Sequence, residues 1–309
     1  MIDTTYAPDL VEETVLLAER TVQGDALRGF RRERNAVYDI ADPERRDAAF
    51  REAHFRWFVR LGLHRPVEEA IEERAELAGR VAQVRVLRAL RRQEEGADLF
   101  DRALPDAAGR RQPLMALRLR PSLLLDAEAL GALLRHELMH VADMLDPGFG
   151  YERRLPPSDD GPSADNIVRD RYRVLWDVTI DGRLARAGLA HPDARAARRR
   201  EFAATFSMLG DRADQMFNEW FDRVVPTHQA VAAFAITPPG PIGAERGGTG
   251  LCPLCRFPVA SLDPHPERLT AGARSQIERE YPSWSIDRGL CPQCLDLYEA
   301  QHISNHRAS

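Results

Sequence analysis

Two histidines and a glutamate in the stretch HELMH are the residues of this sequence best suited to chemistry. His136 and His140 are spaced i,i+4, so on a helix they project from one face and can bind one metal ion. Glu137 lies about 60° round the helix from His140, where its carboxylate can accept a proton from a water beside that ion. The spacing predicts a catalytic zinc site. The alternative is two core histidines that flank an exposed glutamate.

The helix that carries HELMH has a clear beginning and a clear end. Asp126 is a good N-cap residue, and Pro147 stops a helical pattern that runs to Leu145. Apolar residues form a stripe opposite the histidines: Leu130, Leu134, Leu138, Val141 and Leu145. We expect this stripe to anchor the helix and the histidine face to line a cleft.

A half-buried strand is predicted just before this helix. Met115, Leu117 and Leu119 alternate with small or charged residues, which is the period of two that a strand shows. Pro113 and Pro121 bracket the run and indicate an edge strand, because proline has no N–H group to donate to a neighbour. Residues 1 to about 100 show helical spacing almost throughout.

All four cysteines lie near the C-terminal end, as two C-P-x-C pairs. Cys252 and Cys255 form the first pair, Cys291 and Cys294 form the second, and 35 residues separate the pairs. Each pair can form a knuckle that presents two thiolates, and four thiolates complete a tetrahedral structural zinc site. Free thiols or redox pairs are the alternatives, but no βαβ pattern of the thioredoxin kind surrounds them.

Composition divides the chain into four predicted parts. These are a helical N-terminal region (1–105), a domain that contains HELMH (106–236), a Pro/Gly linker (237–250) and a four-cysteine zinc-ribbon module (251–309). A second long helix is predicted at 164–187, with Gly188 at its C-terminal end. The expected fold class is therefore α+β, mainly α, with a short sheet and one helix that carries the site.

The strand followed by a helix with His136, Glu137 and His140 resembles the zincin metallopeptidases, over about residues 110–190. The resemblance implies zinc-dependent hydrolysis of a peptide bond, with Glu137 as general base. The run RDRYRVLWDVTIDGRLARAG is similar to the gluzincin helix, which supplies a third ligand and, four residues on, an aspartate that orients a ligand histidine. The resemblance implies that Asp177 is the third ligand and that Asp181 is the orienting residue. Gluzincins have a glutamate as third ligand, whereas an aspartate in this role resembles the aspzincins.

Several alternatives stay open at this stage. Asp181 or Asp146 could be the third ligand instead. Asp143 lies on the histidine face but too far along the helix to share the ion with His136, so it is expected either to contact a ligand or to line the cleft. Asp177 and Asp181 could also form ion pairs with arginines on their own or neighbouring helices. The candidates for stabilising an oxyanion are Tyr151, Tyr172, Arg183 and His191.

The expected partners follow from charge and composition. HELMH followed by a zinc ribbon also resembles the DNA-associated SprT-like proteases. However, residues 249–309 hold six arginines and seven acidic residues, and the net charge of the whole chain is −5. We therefore expect a protein or peptide substrate, a protein partner at the ribbon, and no nucleic acid. The other hypotheses are a non-catalytic zinc scaffold and a DNA-associated protease of the SprT-like kind, which would need a basic surface assembled from arginines of the helical region. With no apolar run of membrane-spanning length and no secretory signal, the expected compartment is the cytoplasm.

Overall fold

The structure is a computed structural model that describes residues 2–21, 25–105, 111–156, 162–239, 251–257, 259, 262 and 269–306. The chain divides into two compact units, Met1–Pro147 and Gly148–Ser309. It is mainly helical with a small four-stranded sheet, which confirms the α+β, mainly α fold class. Within the described ranges, no helix combines the length and the apolar character needed to cross a membrane.

The first unit builds the sheet and packs five helices with it. Its elements are β1 (Asp3–Tyr6), α1 (Pro8–Thr21), α2 (Asp25–Val37), α3 (Pro43–Arg60), α4 (Arg65–Glu72), β2 (Gln83–Arg88), β3 (Gly96–Pro105), β4 (Arg111–Leu119) and α5 (Ala127–Leu145). The strand order is β1-β2-β4-β3, and β1, β2 and β4 are parallel whereas β3 runs antiparallel to β4. β3 is therefore the last strand on one side of the sheet.

The predicted strand is β4, and the burial of its three apolar residues is confirmed, but Ala116 between them is buried as well. Met115, Leu117 and Leu119 are all fully buried. The prediction of an edge position is wrong, because β4 pairs with β2 on one side and β3 on the other. Pro113 is tolerated there since the β3–β4 register shifts opposite it, and its carbonyl accepts a hydrogen bond from the N–H group of Ala82 (2.9 Å).

The prediction that residues 1 to 100 are almost wholly helical is wrong at β1, β2 and the start of β3. In β2, buried Val84 and Val86 flank exposed Arg85, which is the pattern of a strand with β-branched residues on its buried face. Gly79, with φ of 72°, lies in the turn between α4 and β2. β1 and β2 join the sheet of β4, so strands on both sides of residue 105 belong to one sheet, and the predicted domain boundary there stays a prediction.

The helix α5 has the predicted ends. The carboxylate of Asp126 accepts a hydrogen bond from the N–H group of Ala129 (3.0 Å), and the helix ends at Leu145, two residues before Pro147. The apolar stripe is confirmed in the core of this unit, where four of its side chains are fully buried with those of β4: Leu130, Leu134, Leu138 and Val141. This packing fixes the rotation of α5 about its axis and so the direction in which the histidines project.

The second unit is helical in its described parts. Its elements are α6 (Pro162–Arg186), α7 (Ala194–Thr205), α8 (Ala213–Phe221), α9 (His228–Ile236), α10 (Ala271–Glu280) and α11 (Pro292–His306). α6 is the predicted long helix, and Gly188 follows it with φ of 70°. α9 was not predicted, and most of the predicted linker, residues 240–250, lies outside the described residues.

Candidate metal centres

The two histidines of HELMH converge on one face of α5. Their Nε2 atoms lie 3.2 Å apart, and both side chains are half-buried. Zinc–nitrogen bonds of 2.0–2.1 Å in a tetrahedron would separate two ligand nitrogens by about 3.3 Å. The pair therefore fits a shared zinc ion, although the same distance also fits a hydrogen bond between two neutral rings.

Glu137 is held by the first residues of β3. Its Oε2 atom accepts a hydrogen bond from the N–H group of Ala97 (3.0 Å). Next to it, Gly96 has φ of 150°, and a Cβ atom at that position would lie 3.1 Å from the same Oε2 atom. Glycine thus permits both the backbone conformation and the close approach of the strand. This contact was not predicted from the sequence, because it joins residues 40 positions apart.

Replacing Gly96 with alanine is expected to disturb Glu137. The variant combines a strained φ, which costs about 1–3 kcal/mol, with a methyl group against the carboxylate. We expect a lower free energy of unfolding in urea and faster hydrogen exchange at the amide of Ala97.

The control is Gly79→Ala, because Gly79 also has a positive φ (72°) but has open space around the added methyl group. The Gly79→Ala variant should have a lower free energy of unfolding than the wild-type protein but the wild-type rate of hydrogen exchange at the amide of Ala97. Equal exchange at Ala97 in both variants would contradict the contact-based explanation.

Asp177 and Asp181 lie on α6, where arginines contact both. The Oδ2 atom of Asp177 accepts hydrogen bonds from Arg173 (3.1 Å) and Arg198 (3.3 Å), and Oδ2 of Asp181 accepts one from Arg198 (2.6 Å). Burial lowers the pKa of Arg198, but these carboxylates outweigh it and raise the pKa above its ordinary value. The predicted alternative of ion pairing with arginines is therefore present at both carboxylates. Arg198, on α7, was not predicted.

Two groups of side chains in the described ranges could hold a metal ion. One is the four cysteines, and the other is His136 with His140 and Asp177; within each group the ligand atoms lie within 4.8 Å of one another. Among the residues that the structure describes, neither Asp181 nor Asp146 belongs to the second group. Three ligands leave a tetrahedral position open, as in catalytic zinc sites, whereas four close it.

The remaining acidic candidates take other places. Asp143 is buried on α5 and does not belong to the histidine group, as expected from its distance along the helix. Asp146 is the C-cap residue of α5, and its N–H group donates to the carbonyl of Asp143 (3.1 Å). Neither observation decides whether Asp143 lines a cleft, which stays a prediction.

The four candidates for stabilising an oxyanion have different surroundings. The hydroxyl of Tyr172 is buried and hydrogen-bonds Nδ1 of His228 (2.7 Å), whose pKa is lowered by burial. The ring of Tyr151 packs against that of His228. Arg183 donates to a carbonyl one turn back on α6, and exposed His191 accepts from a neighbouring N–H group. His228 was not identified from the sequence, and the choice among the four candidates stays open.

The four cysteines form a buried cluster. The Sγ atoms of Cys252 and Cys294 are 3.8 Å apart, as are those of Cys255 and Cys291. Zinc–sulfur bonds of 2.3 Å in a tetrahedron would separate two sulfurs by about 3.8 Å, whereas a disulfide needs about 2.05 Å. The cluster therefore fits four thiolates around one ion.

Different local structures supply the two cysteine pairs. The first pair lies on a tight turn in which Arg256 has φ of 58° and the N–H group of Cys252 donates to the carbonyl of Phe257 (3.0 Å). Cys291 directly precedes α11 and Cys294 lies in its first turn. In the second pair Pro292 begins a helix, and the N–H group of Cys294 donates to the Sγ atom of Cys291 (3.4 Å), so the two pairs present their sulfurs from different backbone structures.

The buried thiols of this cluster alter one another's pKa values, because their sulfur atoms lie within hydrogen-bonding distance. Hydrogen bonds from Cys255, Cys291 and Cys294 lower the pKa of the Cys252 thiol. The hydrogen bonds that Cys252, Cys255 and Cys291 make with Cys294 raise the pKa of the Cys294 thiol. A bound cation would favour all four thiolates together.

Comparison with protein-family models, with curated proteins and with solved structures found no match for this chain. The resemblance to zincins therefore rests on His136, Glu137, His140 and Asp177 and on the elements that carry them.

Proposed function

We propose that this protein is a zinc-dependent peptidase in which His136, His140 and Asp177 hold the ion and Glu137 is the general base. The observation that chiefly supports the proposal is the grouping of these three ligands, which leaves a fourth position for water or substrate. The second support is the fixed position of Glu137, adjacent in sequence to a ligand and held by β3.

The chemistry divides between the ion and Glu137. When bound, zinc lowers the pKa of a water molecule to about 7 and polarises a carbonyl group. Glu137 would take the proton of the attacking water and later deliver it to the leaving amine. The hydrogen bond from Ala97 orients the carboxylate before the reaction and so reduces the rearrangement that proton transfer requires.

The substrate that fits this arrangement is an extended peptide of a protein. β3 is the last strand in the sheet order, and it begins where Ala97 contacts Glu137. A last strand can pair with an added strand through backbone hydrogen bonds. A peptide that pairs with β3 would pass close to Glu137, so its own backbone would position the bond to be cleaved.

The arginines at Asp177 would position the third ligand. Arg173 and Arg198 both donate to the Oδ2 atom of Asp177 and so fix the orientation of its carboxylate. Hydrogen bonds to a ligating group fix its orientation, and their loss commonly weakens metal binding about 10–100-fold. Arg198 also contacts Asp181, so one arginine would hold both carboxylates.

Metal content per chain tests the first step of the proposal. We expect elemental analysis to find two zinc ions in the wild-type protein and one in the His136→Ala/His140→Ala variant, because the cysteines keep theirs. His191→Ala removes an exposed histidine and serves as the matched control with two zinc ions. One zinc ion in all three proteins would mean that HELMH binds none, and the proposal would fail.

A non-catalytic zinc scaffold is the second candidate. The buried four-cysteine cluster favours it, because four protein ligands close a zinc site to water and substrate. Two bound zinc ions with no hydrolysis of any peptide in a mixed library would support the scaffold over the peptidase.

A further inference from the structure

Arg171 is a buried arginine that is not among the candidate ligands of either metal site. It lies on α6 with 1% of its surface exposed. Its Nη2 atom donates to Oε1 of Gln293 (2.9 Å), but its Nε and Nη1 atoms are buried without a hydrogen-bond partner among the described residues. Burying donors of a charged group without acceptors is costly, so a negative group is expected nearby.

The guanidinium contacts both segments that carry the cysteines. Its Cζ atom lies 4.1 Å from the centre of the Phe257 ring, two residues after Cys255. Gln293, which accepts its hydrogen bond, lies between Cys291 and Cys294. One side chain of α6 therefore joins the turn of the first pair to the helical turn of the second.

The charge of the occupied site would match this arginine. Four thiolates around one divalent cation carry a net charge of −2, and the cysteines lie among buried apolar side chains that cannot screen it: Leu254, Ile277, Leu290 and Leu295. Burial lowers the pKa of Arg171 to about 10, while the thiolates of Cys255, Cys291 and Cys294 act in the opposite direction. Arg171 is therefore charged at neutral pH.

We propose that Arg171, held beside the four cysteines by Phe257 and Gln293, neutralises part of the charge of a zinc tetrathiolate there. Arg171 is thus a positioning residue for the cysteine site. It acts through the ligands and does not coordinate the ion. The proposal rests on the cysteine cluster alone and is independent of peptidase activity.

Zinc affinity of Arg171 variants tests this. The variants are Arg171→Lys, Arg171→Gln and Arg171→Met, in a His136→Ala/His140→Ala background so that only the cysteine site is measured. Competition with a chromophoric chelator gives the affinity, and the sulfur-to-cobalt charge-transfer absorption of the Co²⁺ form reports on the thiolates. The control is Arg169→Gln, because Arg169 is exposed on the same helix.

We expect Arg171→Gln and Arg171→Met to bind zinc about 10–100-fold more weakly than the control, with Arg171→Lys intermediate and a shifted cobalt absorption. Wild-type affinity in the glutamine and methionine variants would overturn the proposal. If Arg171→Met does not fold, the lysine and glutamine variants decide: equal losses in the two would show that charge is not the cause and would also overturn it.

Discussion

Replacing Glu137 with glutamine is expected to slow peptide hydrolysis about 100- to 10,000-fold while two zinc ions stay bound. Glutamine has nearly the same shape as glutamate, and its amide oxygen can still accept the hydrogen bond from Ala97. It cannot accept a proton from water. The variant therefore separates proton transfer from metal binding and from the packing of α5.

A mixed peptide library analysed by mass spectrometry gives the rate for whichever peptide sequences the protein cleaves. Glu128→Gln is the matched control, since Glu128 is exposed on the same helix and is expected to leave the rate unchanged. Cleavage by Glu137→Gln at the wild-type rate would exclude Glu137 as the general base, even if zinc is present.

Replacing Cys294 with serine is expected to remove one zinc ion and to unfold the cluster around the cysteines. Binding of structural zinc supplies about 10–16 kcal/mol of apparent folding free energy in small zinc-binding peptides. The apolar cluster here is small, so it depends on the ion more than a full domain core would. Its buried members outside the cysteines are Ile167, Leu254, Ala273, Ile277, Trp284, Leu290, Leu295 and Tyr298.

Hydrogen exchange measured by mass spectrometry reports this unfolding segment by segment. We expect fast exchange in residues 251–257 and 269–300 of Cys294→Ser, with the strands β2 and β4 still protected. Arg256→Gly is the control, because φ of 58° suits glycine and the side chain is exposed. Unchanged protection in Cys294→Ser would show that the cluster does not need the metal.

The parts of the fold that the sequence predicts well are those that local patterns specify. Asp126 and Pro147 mark the ends of α5, and its leucine stripe fixes which face is buried. The two cysteine pairs are likewise recognisable without structure, because both the residue type and the spacing are specific. His136 and His140 needed only a helix to share a face.

The parts that were not predicted depend on contacts between distant residues. Val84 and Val86 belong to a strand because β1 and β4 pair with that strand. The arginines around the two valines produce a spacing of apolar and charged residues that is also typical of a helix, so the sequence predicted a helix there. Arg198 contacts Asp177 on α6, Gly96 lies against Glu137, and Arg171 contacts Phe257 beside the cysteines. Each contact joins residues far apart in the chain, so no short-range sequence pattern predicts it.

The two arginines at Asp177 have a consequence for the electron-donating strength of that carboxylate. A carboxylate oxygen that accepts two hydrogen bonds from guanidinium groups is less basic, because the positive charges favour its ionised form. A less basic ligand donates less electron density to a cation. An ion bound there would keep more of its Lewis acidity for a substrate carbonyl.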